Sequence, residues 1–265
     1  MPLLHDLRLV VHHVRSHPAN RGHQTSALTR AAWFQVKSRI TGAPSRVSIG
    51  GATILAERGF SASTKAVYGN PPDWAEMMAW RRILKPGDLF VDVGANVGAY
   101  TLWAIDCDAR VIAVEPNAET AERLRRNIAL NSFEVEVAEV ALADKPGVLR
   151  MTSDLDSMNH LIMDDEGGIE VPVTTLDLLL GGRTVAGMKI DVEGAEEMVL
   201  RGAVRALAER RLGVIQLEWN ALSQRQGLAA LLRDAGYRFM RPDENGALVG
   251  CDPTGFGPDL FAVLN

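Results

Sequence analysis

Apolar residues recur along the first fifth of the chain at helical spacing. Leu3, Leu4, Leu7, Val10, Val11 and Val14 repeat this way, with His5, Arg8, His12 and Arg15 on other faces, until Pro18 and Gly22 break the pattern. Leu28, Ala32, Val36 and Ile40, helped by Trp33, mark a second amphipathic helix that Gly42 and Pro44 stop. Both helices are expected to pack on the rest of the chain as a cap, in preference to lying on a membrane surface, and such a cap can cover the mouth of a site. Arg46 to Arg58 alternates around Gly50-Gly51 and predicts a small hairpin, with Lys65 to Tyr68 as a further strand. Asp73 caps a helix that carries Trp74, Met77, Met78 and Ile83 along one side. The chain thus divides at about residue 70, into an N-terminal cap and hairpin region (1–70) and a larger domain (71–265).

Past that boundary, short apolar runs alternate with helical stripes, the pattern of an α/β sheet. Strands are predicted at Asp88 to Val93, Arg110 to Glu115, Phe133 to Val140, Gly187 to Val192, Gly213 to Trp219, Tyr237 to Arg241 and Leu260 to Leu264. Helices are predicted from Val97 to Asp106, from Asn117 to Asn131, over Thr175 to Leu180, from Gly194 onward and over Leu222 to Ala235. Val148 to Thr152 pairs with Ile169 to Thr174, and the polar stretch Ser153 to Gly168 between them reads as an exposed loop.

The chemistry concentrates where the first of these strands ends. Val91 to Thr101, VDVGANVGAYT, is a strand, a tight glycine turn and a helix start. Gly94 and Gly98 let a ligand approach the backbone, and the helix start points unpaired N–H groups at it, so a nucleotide-like cofactor is the expected occupant. A dinucleotide fingerprint requires glycine where Asn96 stands, so an uncharged turn of this kind suits a zwitterionic amino-acid tail better than a pyrophosphate. Glu115 ends the second strand about twenty residues after the first glycine, where a carboxylate accepts both hydroxyls of a ribose. Asn117 either caps the next helix or touches that ribose. Ala141 and Leu142 follow the third strand and offer apolar contact to an adenine. Asp191 and Glu218 stand at the carboxyl ends of later strands, the crevice edge of an open α/β sheet.

Length and composition add bounds. The 265 residues suffice to bury an α/β core, and no apolar run reaches the length of a membrane span. No secretory signal is apparent, so a cytoplasmic location is expected. Cys107 and Cys251 have no metal-ligand spacing and read as free thiols. Residues 1–46 carry a net charge of +6 and five of the six histidines, which leaves −11 on the remainder of a chain whose net charge is −5. An acidic body lacks the broad basic face that nucleic acid requires, so no nucleic-acid partner is expected.

Taken together, VDVGANVGAYT, AVEPN at Ala113 to Asn117, MKIDVEGAEEMVLRGA at Met188 to Ala203 and IQLEW at Ile215 to Trp219 resemble the FkbM family of S-adenosylmethionine-dependent methyltransferases. The resemblance implies the class I fold, a Rossmann-like sheet in the order 3-2-1-4-5-7-6 with the last strand antiparallel. It implies S-adenosylmethionine as cofactor, with Asp92, Gly94, Asn96 and Gly98 around its methionine part, Glu115 at the ribose, and Ala141 and Leu142 near adenine. Asp191, Glu193 and Glu218 would border the methyl-transfer centre. The implied reaction is O-methylation of a small hydroxylated acceptor, a sugar or polyketide of secondary metabolism. N-methylation of a small molecule, a non-catalytic cofactor-binding module and an NAD-dependent oxidoreductase are the competing readings; Asn96 and the KIDVEGAE strand argue against the last. The acceptor proton then leaves in one of two ways. Either Asp191, Glu193 or His160 takes it directly, or Asp191, Glu218 and Asn220 hold a Mg²⁺ that lowers the hydroxyl pKa. The sequence does not specify an oligomeric state.

Overall fold

A computed structural model describes residues 10–58, 61–152, 161–162, 168–219, 225–254 and 259–265 of the chain. It opens on a helix at 10–16 (α1) and a longer one at Gln24–Thr41 (α2), followed by strands β1 (Ser45–Ile49) and β2 (Ala52–Ala56) and helices α3 (Ser61–Tyr68) and α4 (Trp74–Ile83). Next come β3 (Leu89–Val93), α5 (Ala99–Ile105), β4 (Arg110–Val114), α6 (Ala118–Leu130) and β5 (Glu136–Ala138). Four short strands, β6 (Ala141–Leu142), β7 (Gly147–Met151), β8 (Leu161–Ile162) and β9 (Ile169–Thr174), form a second sheet. The chain returns through α7 (Leu176–Leu180), β10 (Val185–Ile190), α8 (Glu196–Arg201), α9 (Val204–Ala208), β11 (Leu212–Leu217), α10 (Arg225–Asp234), β12 (Tyr237–Pro242), β13 (Leu248–Gly250) and β14 (Leu260–Leu264).

The main sheet has eight strands in the order β5-β4-β3-β10-β11-β14-β12-β13. With β13 set aside as an added edge, the other seven run 3-2-1-4-5-7-6 in chain order, and the last of them, β14, is antiparallel to both its neighbours. That is the class I order the resemblance implies. The central strands are apolar on both faces because helices cover both. On one side Val91, Val93, Met188, Ile190, Ile215 and Leu217 pack with Leu176, Val199, Leu200, Leu228 and Leu232. On the other, Phe90, Val111 and Phe261 pack with Trp80, Leu102 and Trp103 and with Ile49 and Ile54 of the hairpin.

The N-terminal segment is tied to this body by polar joints. His17 Nε2 lies 3.1 Å from the Pro72 carbonyl, and Asn20 Nδ2 donates to the carbonyls of Val14 and Tyr68. The free edge of β2 is covered by side chains of α6: the Thr53 and Leu55 N–H groups donate to the Oδ1 atoms of Asn131 and Asn127, and Asn131 Nδ2 returns a bond to the Thr53 carbonyl. An open strand edge is thereby satisfied without another strand.

Several expectations need correction. Lys65 to Tyr68 belongs to a helix, α3, and the third strand spans only Glu136–Ala138. The helix after Gly194 breaks at Gly202, where a Cβ would stand 2.1 Å from the Ala143 carbonyl oxygen, so two short helices replace one. Within the loop expected at Ser153 to Gly168, Leu161–Ile162 pairs with β7. Helix α2 is real, but it buries Ala27, Ala31, Phe34 and Ser38, and leaves Ala32, Trp33, Val36 and Ile40 exposed.

Candidate functional site

An open cleft of about 740 Å³ lies over the carboxyl ends of β3, β10 and β11. It is lined from the sheet by Asp92, Gly94, Lys189, Asp191 and Glu218, from the turns by Asn96 and Glu193, and from the N-terminal side by Lys65, Pro72 and Asp73. Strand alternation explains which side chains arrive there. In register, Asp92 of β3 pairs with Lys189 of β10, which pairs with Gln216 of β11, so three polar residues form a row across an otherwise apolar face. Two residues further along each strand, Gly94, Asp191 and Glu218 form the next row on the same face, at the mouth.

The inner row is dry and charged. Asp92 is 1 % exposed; its Oδ2 accepts from Thr101 Oγ1 at 2.7 Å, and its Oδ1 has no hydrogen-bond partner among the described residues. Burial raises the Asp92 pKa, with Lys189 opposing the shift. Lys189 is 5 % exposed, and its Nζ donates to Asp191 Oδ2 at 2.6 Å and lies 4.5 Å from the centre of the Tyr100 ring. Burial works against the ammonium, but Asp191 and Asp92 outweigh it and hold Lys189 charged, above the ordinary lysine range. Gln216 is anchored by Trp80, whose indole N–H donates to Oε1, so its Nε2 is free to donate to Tyr100 Oη at 3.2 Å and Asp259 Oδ2 at 2.6 Å. Lys189 and Gln216 were not among the residues that motif reading singled out. The available signal was a polar residue one place before the strand end in three strands that otherwise read as buried: VDV, MKI and IQL.

The turn after β3 is built as its motif suggests, with an added structural reason for each glycine. Gly94 has φ 78°, and a Cβ there would meet the Asp191 carbonyl oxygen at 1.9 Å. Gly98 has φ 95° and faces Leu124 of α6, at 2.5 Å from where a Cβ would lie. Asn96 adopts φ 50°, and its N–H donates to Glu115 Oε2 at 2.9 Å; Glu115 Oε1 accepts from the Asn117 N–H at 3.0 Å. The Glu115 carboxyl is pushed up to about 7, because burial outweighs the two N–H donors. Asn117 caps α6, its Oδ1 accepting from the Thr120 N–H at 3.0 Å.

Ala141 and Leu142 come directly after the third strand. They leave the main sheet to form β6 of the second sheet, where both are buried and neither lines the cleft. His160 and Asn220 lie outside the described residues. Carboxylate oxygens of Asp191, Glu193 and Glu218 come within 4.8 Å of one another, which brings Glu193 into the set first expected to hold Mg²⁺. Glu193 sits at φ 51°, and next to it the Gly194 N–H donates to buried Glu196 at 3.0 Å.

Residues 92–239 match the family model described as Methyltransferase FkbM domain. The chain is 28% identical to the 31-O-demethyl-FK506 methyltransferase FkbM of Streptomyces tacrolimicus, with 58% of this chain and 74% of that protein covered. It is 25% identical to the methyltransferase sdnD of Sordaria araneosa, with 68% and 82% covered. Among solved structures, a precorrin-6y C5,15-methyltransferase of Geobacter metallireducens GS-15 is 17% identical, with 82% of this chain and 98% of that chain covered and a TM-score of 0.45.

Proposed function

The chain belongs to the FkbM methyltransferase family, as an S-adenosylmethionine-dependent enzyme, and we propose that it methylates a hydroxyl of a small sugar- or polyketide-type molecule. The observation that carries this is the cleft mouth, where the Asp191 carboxylate is held in place by the buried Lys189 ammonium at 2.6 Å, beside Gly94 and Asn96 in the same lining. A relative that by its name methylates 31-O-demethyl-FK506 supports the acceptor class.

The residues present fit the cofactor. Asp92 Oδ1 is a buried acceptor without a partner among the described residues and suits the ammonium of the methionine part, beside Gly94 and Asn96. Glu115 retains acceptor capacity for ribose hydroxyls, since each carboxylate oxygen takes more than one hydrogen bond. Ala141 and Leu142 are assigned to adenine through the family resemblance. When bound, S-adenosylmethionine supplies a methyl group on a sulfonium whose departure leaves a neutral sulfide. The chain's part is to hold the acceptor oxygen in line and to receive its proton. Asp191 is our base, with Glu193 as its neighbour. Lys189 already places a positive charge at Asp191, so the reaction is expected to proceed without Mg²⁺. The lining carboxylates Asp73, Asp92, Asp191, Glu193 and Glu218 outnumber Lys65 and Lys189, which disfavours a polyphosphate acceptor such as nucleic acid. We assign residues 1–70 to the substrate side, because Lys65 already reaches the cleft. The two free thiols, Cys107 and Cys251, fit a cytoplasmic setting.

The test is transfer of labelled methyl from S-adenosylmethionine to a panel of hydroxylated glycans and polyketides. Asp191→Asn is expected to lower turnover by on the order of 10² to 10⁴ while cofactor binding persists. Full turnover in Asp191→Asn, or transfer only to amines, would overturn the reading.

A further inference from the structure

Helix α2 carries two apolar stripes. Ala27, Ala31, Phe34 and Ser38 are buried against the fold, while Trp33, Val36 and Ile40 are 67%, 50% and 77% exposed. At about 100° per residue the two stripes lie roughly 160° apart, so the outer stripe points directly away from the docked face. Lys37 flanks it on one side and Arg39 on the other. These residues sit in a stretch of unusual charge. From Leu7 to Ala56 the sequence has no aspartate or glutamate and holds Arg8, Arg15, Arg21, Arg30, Lys37, Arg39 and Arg46. Arg21 pairs with Glu244, but among the described residues Arg15, Arg30, Lys37, Arg39 and Arg46 form no ion pair with a carboxylate. Among the described residues, no carboxylate therefore pairs with these five charges.

We propose that the outer face of α2 is a docking surface for an anionic phospholipid membrane, on which the helix lies parallel to the surface. Positive charge draws the helix to the headgroups, and Trp33, Val36 and Ile40 enter the boundary with the acyl chains, the arrangement of an interfacial amphipathic helix. Tryptophan favours that boundary because its ring is apolar and its N–H polar. The stripe distinguishes this partner from nucleic acid, which would use the basic side chains and gain nothing from Val36 and Ile40. The rest of the chain, at −11 outside residues 1–46, is repelled by the same membrane, so the protein adopts one orientation on it. No helix among the described residues is long and apolar enough to cross a membrane, so binding is to the surface and reversible.

The full chain would be floated with vesicles of phosphatidylglycerol and phosphatidylcholine, and with phosphatidylcholine alone. Binding to the anionic vesicles that weakens with salt is expected, and the double substitution Trp33→Ser, Ile40→Ser should reduce it by on the order of tenfold. Lys37→Glu with Arg39→Glu should do the same. Because Trp33, Arg39 and Ile40 are exposed, Lys37 is half-buried, and none of the four lines the cleft, the unfolding midpoint and S-adenosylmethionine affinity of the variants should equal those of wild type, which separates this proposal from the catalytic one. Three results would overturn it: no flotation at low salt; binding indifferent to the Trp33 and Ile40 substitutions, as for a purely basic patch that captures DNA equally well; or a lipid-free dimer that those substitutions dissociate.

Discussion

Glu115 is the side chain on which cofactor affinity and pH are expected to meet. It is buried, its oxygens already accept from Asn96 and Asn117, and its carboxyl stands at about 7. The folded value is above the unfolded one, so its contribution to stability is fully present below about pH 4.5 and is lost as pH rises through about 7. The loss is on the order of 3 kcal/mol. Glu115→Gln should flatten that slope in urea melts between pH 5 and 8. Ribose hydroxyls that donate to the carboxylate favour its ionised form, so S-adenosylmethionine should bind more tightly from pH 6 to 8 and release a proton as it does. Calorimetry in two buffers of different ionisation enthalpy reads this directly. Affinity that ignores pH would remove Glu115 from the ribose. Lys189 makes the opposite demand: it is the cation that two carboxylates share. Lys189→Met should cost about 3 kcal/mol by leaving Asp92 and Asp191 without it, and Asp92→Asn in that background should restore part of the loss in the same melts.

The unit of β3, turn and α5 rests on close approach as much as on ligand access. Gly94→Ala would push a Cβ into the Asp191 backbone, which the parallel pairing of β3 with β10 fixes, at a φ that disfavours side chains; destabilisation of about 3 kcal/mol or more is expected in denaturant melts. Gly98→Ala meets only the end of the Leu124 side chain and should cost about 1 to 2 kcal/mol. A turn serving only the ligand would show neither effect without cofactor. The central strands were legible because both their faces are apolar, and the Asn96 turn because Gly94 and Gly98 flank it. The strand order came from family resemblance, since periodicity does not encode neighbours. The α2 stripe misled because Leu28, Ala32, Val36 and Ile40 have the spacing of a buried face, while Ala27, Ala31 and Phe34 do the packing and only Leu28 of the expected stripe joins them, half-buried. Lys189 escaped notice because motif reading follows strand ends, whereas its partners Asp92 and Gln216 are neighbours only through register.

The cleft joins parts of the chain that are distant in sequence: Asp92 to Asn96 from the first strand and turn, Asp191 and Glu218 from later strands, and Lys65 to Asp73 from the N-terminal side. The N-terminal segment is also held by His17 on Pro72, by Asn20 on Tyr68 and by the asparagine bonds from α6 to β2. A ligand in that cleft is therefore expected to stabilise both regions at once, giving one unfolding transition that moves as a whole. At a hundred times its dissociation constant, S-adenosylmethionine should add about 2.7 kcal/mol, which for a chain of this length raises Tm by roughly 5 to 10 °C. NAD should leave Tm where it is, since the turn offers Asn96 where a pyrophosphate needs glycine. EDTA should leave the cofactor-induced shift unchanged, because Lys189 rather than a metal balances Asp191. Scanning calorimetry distinguishes the outcomes. Two transitions, of which only the later one moves, would mean that residues 1–70 unfold independently of the cofactor cleft. A shift abolished by EDTA and restored by Mg²⁺ would mean that the Asp191, Glu193 and Glu218 carboxylates take a metal despite Lys189.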